Sequence, residues 1–414
     1  MIVSTMFILG FSIAIGFIMA CAVGANDVAN AMGTSVGAKV LTLKQAIWLA
    51  AIFEAMGAFF ASGQVTQTIQ QDLLDQHWAG LHPHLLMLGM LAALCASAVW
   101  LIIATVYSLP VSTTHTIIGA VVGFALLNIG ADIVQWSIIF RIILSWFITP
   151  IIAGLLAFCL FRSVQRLILQ AKDPIFAAYR YIPYYMILVI FTVLQVALYE
   201  IVSLGWLHLQ MAVIFMLALS LSVAVGMIST FFIRHPLLIG NKQNAKSEQL
   251  FGLLVILTAC TMAFAHGSND VANAIGPLAS IVQLATNPGS VGQSSVPFWI
   301  LALGAFGVLL GLASYGYRVI NTVGMRITPL TPSRGFAAQL ATAMTVLICS
   351  GLGLPVSSTQ ILVGAVLGVG MAGGVGAIDL KVVQQIFMSW FITVPIGAIL
   401  AMAFFTIFQW LQWV

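Results

Sequence analysis

Charged residues are what this sequence has least of: 6% of 414, as 14 Lys+Arg and 10 Asp+Glu. A soluble domain carries about 25%. A chain that is 62% hydrophobic cannot cover a water-facing surface with so few charges, so a soluble enzyme is excluded. Paired thiols are lacking too. Cys21, Cys95, Cys159, Cys260 and Cys349 sit singly in apolar stretches, odd in number and without a CxxC pair. They read as small apolar packing residues, not as a disulfide framework or metal site. No Lys or Arg precedes Lys39, so the basic start of a signal peptide is missing and the first apolar run reads as a span. The basic residues are scattered among loops, and a net charge of +4 implies no nucleic-acid surface.

Long apolar runs are abundant. They fall near 5–22, 45–63, 85–107, 116–130, 134–161, 183–205, 208–233, 250–266, 297–316, 336–353, 361–377 and 383–411. At roughly 20 residues per crossing, these predict an all-α polytopic membrane protein of about twelve segments. The fourth and eleventh runs are short and Gly-rich, which suits broken or re-entrant helices at the midplane. The loops holding Arg162, Arg166, Lys172 and Arg180, then Arg234, Lys242 and Lys246, are separated by two spans and share a side, the cytoplasmic one by the positive-inside rule. Alternation then places Lys39, Lys44, Arg318, Arg326, Arg334 and Lys381 inside as well. Only Arg141 falls near the outside, both termini lie outside, and the outer loops near 64–84 and 280–296 carry no Lys or Arg.

The chain repeats itself. Gly24-Ala25-Asn26-Asp27-Val28-Ala29-Asn30-Ala31 recurs as Gly267-Ser268-Asn269-Asp270-Val271-Ala272-Asn273-Ala274, and Pro110-Val111-Ser112-Thr113-Thr114 recurs as Pro355-Val356-Ser357-Ser358-Thr359. Gly119 and Gly123 recur as Gly364 and Gly368, and Ser145–Thr149 as Ser389–Thr393. The two starts are seven spans apart. Seven is odd, so the halves are inverted relative to one another, an arrangement typical of alternating-access transporters. The division is 1–161 for the first repeat, 162–249 for two linking helices with basic loops, and 250–414 for the second repeat.

The polar residues of these blocks are the candidates for chemistry. Asp27 and Asp270 lie in apolar surroundings, where a carboxylate costs about 2.5–3.5 kcal/mol on insertion scales and needs a partner or a purpose. Helix capping alone would not call for Asn26, Asp27 and Asn30, then Asn269, Asp270 and Asn273, with small residues between. The Asn pairs are four apart and share a face if helical. Ser112, Thr113 and Thr114, like Ser357, Ser358 and Thr359, put hydroxyls at a helix N-terminus after a proline, an anion cradle in outline. A site without Lys or Arg that holds a small oxyanion beside two carboxylates needs cations or protons as well, and that linkage is symport. No HExxH spacing or nucleophile–base arrangement points to an enzyme.

At these residues the sequence resembles the inorganic phosphate transporter (PiT) family, which includes sodium–phosphate symporters of animals and phosphate permeases of bacteria. The resemblance rests on Gly24–Ala31, on His266–Ala279 (HGSNDVANAIGPLA), on Pro110–His115 (PVSTTH) and on Leu330–Phe336 (LTPSRGF). It implies import of inorganic phosphate with Na⁺ or H⁺ by alternating access. It also implies that substrate and cation share the Asn-Asp and Ser-Thr segments: Asp27 and Asp270 as the Na⁺ ligands, with Asn26, Asn269 and Glu54 as further cation candidates. Sulfate is the alternative substrate, and a passive anion channel the alternative class. The compact central loops resemble prokaryotic members, which implies a cell membrane, and a homodimer is a further expectation. Two positions depart from the family pattern. Gln360 stands where the first copy has His115, and Gln339 stands where relatives carry Glu. His115 and His266 are read as structural, and His77, His82 and His84 as loop residues. Trp410 and Trp413 are read as interface anchors.

Overall fold

The computed structural model describes residues 2–107, 109, 111–203, 208–233, 246–287, 296–316, 331–373, 380–411 and 413. Thirteen helices of more than ten residues are described: α1 (Ile2–Gly37), α2 (Leu43–Ala61), α3 (Pro83–Val106), α4 (Thr113–Asn128), α5 (Trp136–Val164), α6 (Pro174–Ser203), α7 (Met211–Ile233), α8 (Lys246–Asn269), α9 (Ala272–Thr286), α10 (Phe298–Ser314), α11 (Pro332–Gly351), α12 (Ser358–Gly373) and α13 (Leu380–Trp410). Among the described residues there is no strand, only an isolated bridge between Leu74 and Val134. The helix starts follow local chemistry. Thr42 and Gln45 close a capping box at α2, and Thr331 with Pro332 opens α11.

Each of the twelve apolar runs falls on a helix. Among the described residues, eight stretches are long and apolar enough to cross a membrane, and α4, α10 and α12 are shorter apolar helices. At 16 residues, α4 and α12 reach about 24 Å, less than the ~30 Å hydrocarbon core. Two expected loops are partly helical, and residues 288–295 of the second lie outside the described residues. Residues 63–81 form short helices at Gly63–Gln67 and Gln76–Leu81 around a π-turn at Thr68–Asp72, and Thr66, Thr68 and Gln70 are buried. Residues 280–286 belong to α9, an element the apolar runs did not predict. Gln and Thr lower the hydropathy of both segments, which is why the sequence suggests loops there. Inside the protein those groups pair: Gln70 donates to Gln283 at 2.8 Å, and Thr68 to the Gly353 carbonyl at 2.7 Å. Arg234, Lys242, Arg318 and Arg326 lie outside the described residues, as does Pro110. Arg334 stacks over Phe161, at the end of α5 that carries Arg162, while Arg141 lies near Asp72 at the other end.

The two halves exchange partners. α4 packs on α13 and α12 packs on α5, while α1 packs on α10 and α8 on α2. Glycine permits the contact in each case. A side chain at Gly364 would collide with the Pro150 carbonyl, and one at Gly119 would collide with Val394, the matching position of the other half. Gly24 is likewise pressed on Val308 and Gly267 on Glu54. Close backbone approach through small residues is how helices associate where lipid removes the hydrophobic drive.

Candidate functional site

The duplicated motifs meet in the interior. The first copy lies inside α1, which runs unbroken through Asn26, Asp27 and Asn30. The second does not. α8 ends at Asn269, α9 begins at Ala272, and Asp270 sits in the break. Pro277 in α9 stands where the first copy has Thr34. It cannot donate to the Asn273 carbonyl, which loosens the first turn of α9. Similar sequences thus give a continuous helix once and a broken one once.

The hydrogen bonds cross between halves. Asn30 Nδ2 donates to Thr359 Oγ1 at 2.8 Å and Ser358 Oγ at 3.3 Å. In the reciprocal position, Asn273 Nδ2 donates to Thr114 Oγ1 at 3.1 Å and Thr113 Oγ1 at 3.2 Å. Ser358 Oγ donates to Asp270 Oδ2 at 2.6 Å, and Asn269 Nδ2 to Asp270 Oδ1 at 2.7 Å. All these residues are buried. The structure therefore brings together Asp27, Asn30, Thr113, Thr114, Asn269, Asp270, Asn273, Ser358 and Thr359.

Three expected residues have other contacts. Asn26 turns away and donates to Thr105 Oγ1 and the Leu109 carbonyl, both at 3.2 Å. Ser112 and Ser357 cap α4 and α12, accepting from the His115 and Gln360 backbone N–H groups at 3.1 and 3.3 Å. Gln339, by contrast, ties α11 to α1 by donating to the Ala31 carbonyl, and it accepts from Thr258 at 3.4 Å.

His266 is fully buried between two carboxylates, as a structural histidine would be, and this places it beside the candidate site. Its Nε2 lies 3.0 Å from Asp270 Oδ2 and its Nδ1 lies 3.0 Å from Glu54 Oε1. Both are close polar contacts among three fully buried residues. Glu54 therefore reaches the site through His266. The chain of three is one-sided: the positions matching His266 and Glu54 in the other half are Val23 and Val308, the latter by its packing on Gly24. The signal was present in the sequence, as a His four residues before an Asp and a lone acid inside a span.

Ligand atoms of Asp27, His266 and Asp270 lie within 4.8 Å of one another. Two ionised carboxylates at that distance repel by about 3 kcal/mol at an effective dielectric of about 20. Asp27 Oδ2 and Asn273 Oδ1 are buried acceptors without a hydrogen-bond partner. Buried oxygens left over in this way, beside paired carboxylates, suit a hard cation.

A sequence profile of the phosphate transporter family matches residues 23–401. A Haemophilus influenzae protein named "Putative phosphate permease" is 47% identical over 399 residues, covering 95% of each chain. "Inorganic phosphate transporter 2-1, chloroplastic" of Arabidopsis thaliana is 39% identical over 95% of this chain and 71% of its own. A solved structure described as "The sodium-dependent phosphate transporter" superposes with a TM-score of 0.92 at 37% identity, covering 98% of this chain and 99% of that one.

Proposed function

The chain belongs to the phosphate transporter family, and from that premise we propose that it is a symporter importing inorganic phosphate with Na⁺ by alternating access. The observation that carries this reading is the buried pair Asp27 and Asp270, within 4.8 Å of each other. A divalent anion beside two ionised carboxylates is repelled unless cations lie between them. Cation and anion then bind better together than alone, and that coupling free energy is what drives uphill uptake. The sodium dependence of the similar solved transporter supports Na⁺ as the cation.

Asp27 and Asp270 hold Na⁺, with Asn273 Oδ1 in reach and Glu54 acting through His266. Thr113, Thr114, Ser358 and Thr359 face the anion, and Asn30 and Asn273 hold those hydroxyls in place. Ser112 and Ser357 set the helix N-termini, whose free N–H groups favour an oxyanion. Asn26 and Asn269 position their halves of the site.

The exchanged contacts support two inverted repeats, 1–161 and 250–414, joined by 162–249, within about twelve segments. The basic end faces the cytoplasm and both termini lie outside the cell membrane. The relatives are named for phosphate, and sulfate finds no support among them.

The test is uptake by proteoliposomes of labelled phosphate and sulfate under imposed Na⁺ and H⁺ gradients. Phosphate accumulates above equilibrium when Na⁺ is high outside. Equilibration without accumulation would mean a channel, and a response to H⁺ alone would overturn the cation assignment.

A further inference from the structure

Beyond a break at Ser62, the short helix Gly63–Gln67 and the π-turn Thr68–Asp72 pack along α9. They lead to the end opposite the basic one, outer in the proposed orientation, where Asp72 lies near Arg141. Single π-turns are rare and recur at functional sites. A small polar notch marks the line between this segment and α9. Gln70, Gln71, Gln76, Ser280 and Gln283 line it, and it holds about 20 Å³, the space of one water and too little for phosphate. The site is shut off from this side: Asp27 and Asp270 are 1% and 0% exposed.

Two hydrogen bonds hold the segment. Gln70 Nε2 donates to Gln283 Oε1 at 2.8 Å. Both groups are neutral amides, so when they part water satisfies each and no charge has to be hydrated or stripped. Thr68 Oγ1 donates to the Gly353 carbonyl at 2.7 Å. Gly353 has a φ of +68°, which glycine adopts without strain, and it opens the strap that leads from α11 to the hydroxyl block of α12. The far end of the strap is held from within the site. Asn269 donates to the Val356 carbonyl at 2.7 Å and accepts from the Val356 N–H at 3.3 Å, and Thr114 donates to the same carbonyl at 2.9 Å. Ser358 and Thr359 follow two and three residues later. One end of the strap thus belongs to the outer segment and the other to the site.

We propose that Gly63–Asp72 is the outer lid of the transport path, clasped to α9 by Gln70 and Gln283, and that Thr68 is a positioning residue through which closure of the lid sets the Ser358–Thr359 half of the anion cradle. The proposal rests on the function proposed above. An open lid releases Gly353, the strap loses an anchor, and the cradle holds phosphate weakly. Phosphate in the cradle in turn favours the shut lid, because coupled equilibria are reciprocal. The anion thereby encloses itself from the outer side.

The test uses the full chain in proteoliposomes, in a cysteine-free background whose Na⁺-driven phosphate uptake matches that of the native chain. That uptake is the control: without it the proposed function fails, whatever the segment does. Gln71→Cys, in the notch but outside the clasp, is treated with a membrane-impermeant maleimide. Na⁺ and phosphate together are expected to slow its modification at least fivefold. Bridging Gln70→Cys to Gln283→Cys with a cleavable dithiol-reactive reagent is expected to stop uptake, and reductant to restore it. Thr68→Val keeps the shape of the side chain without its hydroxyl. It is expected to raise half-saturating phosphate at least fivefold with less than a twofold change in maximal rate, and Thr68→Ser is expected to stay near normal. Thermal unfolding checks that each variant is folded. Modification of Gln71→Cys that is absent or indifferent to substrate, or uptake that survives the bridge, overturns the lid. Unchanged half-saturation in folded Thr68→Val, or a fall in maximal rate alone, overturns the positioning role.

Discussion

Asn30 Nδ2 donates to Thr359 Oγ1 at 2.8 Å across 329 residues of sequence. A residue of one duplicated motif in the first half is thereby held by the other motif in the second half. Asn273 and Thr114 repeat the arrangement at 3.1 Å. Neither half completes the site alone.

Because the two bonds are reciprocal, Asn30→Ala and Asn273→Ala are expected to act alike. Each leaves buried hydroxyls with one partner fewer, at about 1–3 kcal/mol of stability, and lowers phosphate uptake at least tenfold. The two effects fall short of adding in the double variant, since both act on one site. Uptake and thermal unfolding of the three variants measure this. Full additivity would mean two independent sites.

Asp27→Asn and Asp270→Asn keep the shape of the carboxylates and remove their charge. Each is expected to abolish Na⁺-driven uptake, by a hundredfold or more, while the protein still inserts. Asp270→Asn also deprives His266 of one acidic neighbour, so it is expected to be the less stable of the two in detergent. Normal uptake in both would sink the assignment.

Glu54→Gln tests the one-sided chain to Asp270. With the charge on Glu54 gone, His266 keeps Asp270 at 3.0 Å and Asp27 within 4.8 Å as its acidic neighbours, and Asp270 is less available to a cation. The half-saturating Na⁺ concentration is expected to rise several-fold, with a smaller change for phosphate. Equal changes in both would mean that Glu54 supports the whole site and has no particular role toward the cation.

The capping geometry separates two roles of one hydroxyl. Ser112→Ala loses the cap and is expected to cost about 0.5–2 kcal/mol, whereas Ser112→Gly costs a few tenths. If the hydroxyl serves only as a cap, phosphate half-saturation stays near normal in the glycine variant. If it also meets the anion, both variants bind phosphate more weakly. Matched variants at Ser357 should behave in the same way.

Gly364 faces the Pro150 carbonyl with no room for a side chain. Gly364→Ala must push α12 from α5, at about 1–3 kcal/mol, and Gly119→Ala does the same to α4 and α13. Thermal unfolding in detergent gives the size of the effect. An unchanged midpoint in both would show that the exchanged packing is slack.

The amino-acid sequence by itself determined the helices and the class of protein. Apolar runs in a chain with 6% charge have no stable alternative in lipid, where each backbone group must bond within its own segment. The duplication also showed which polar residues to look at, because Asp27 and Asp270 are repeated where charge is costly. Three things were decided only in the tertiary structure. Gln70 and Gln283 are buried because they satisfy one another, and hydropathy averages cannot register a partner 213 residues away. The NDVAN motif is continuous in α1 and broken after α8, a difference that similar local sequences cannot encode without their surroundings. His266 joined the site because packing of α8 on α2 set it between Glu54 and Asp270. A site built from contacts between distant segments can be named from its residues, but its geometry exists only once the helices have packed.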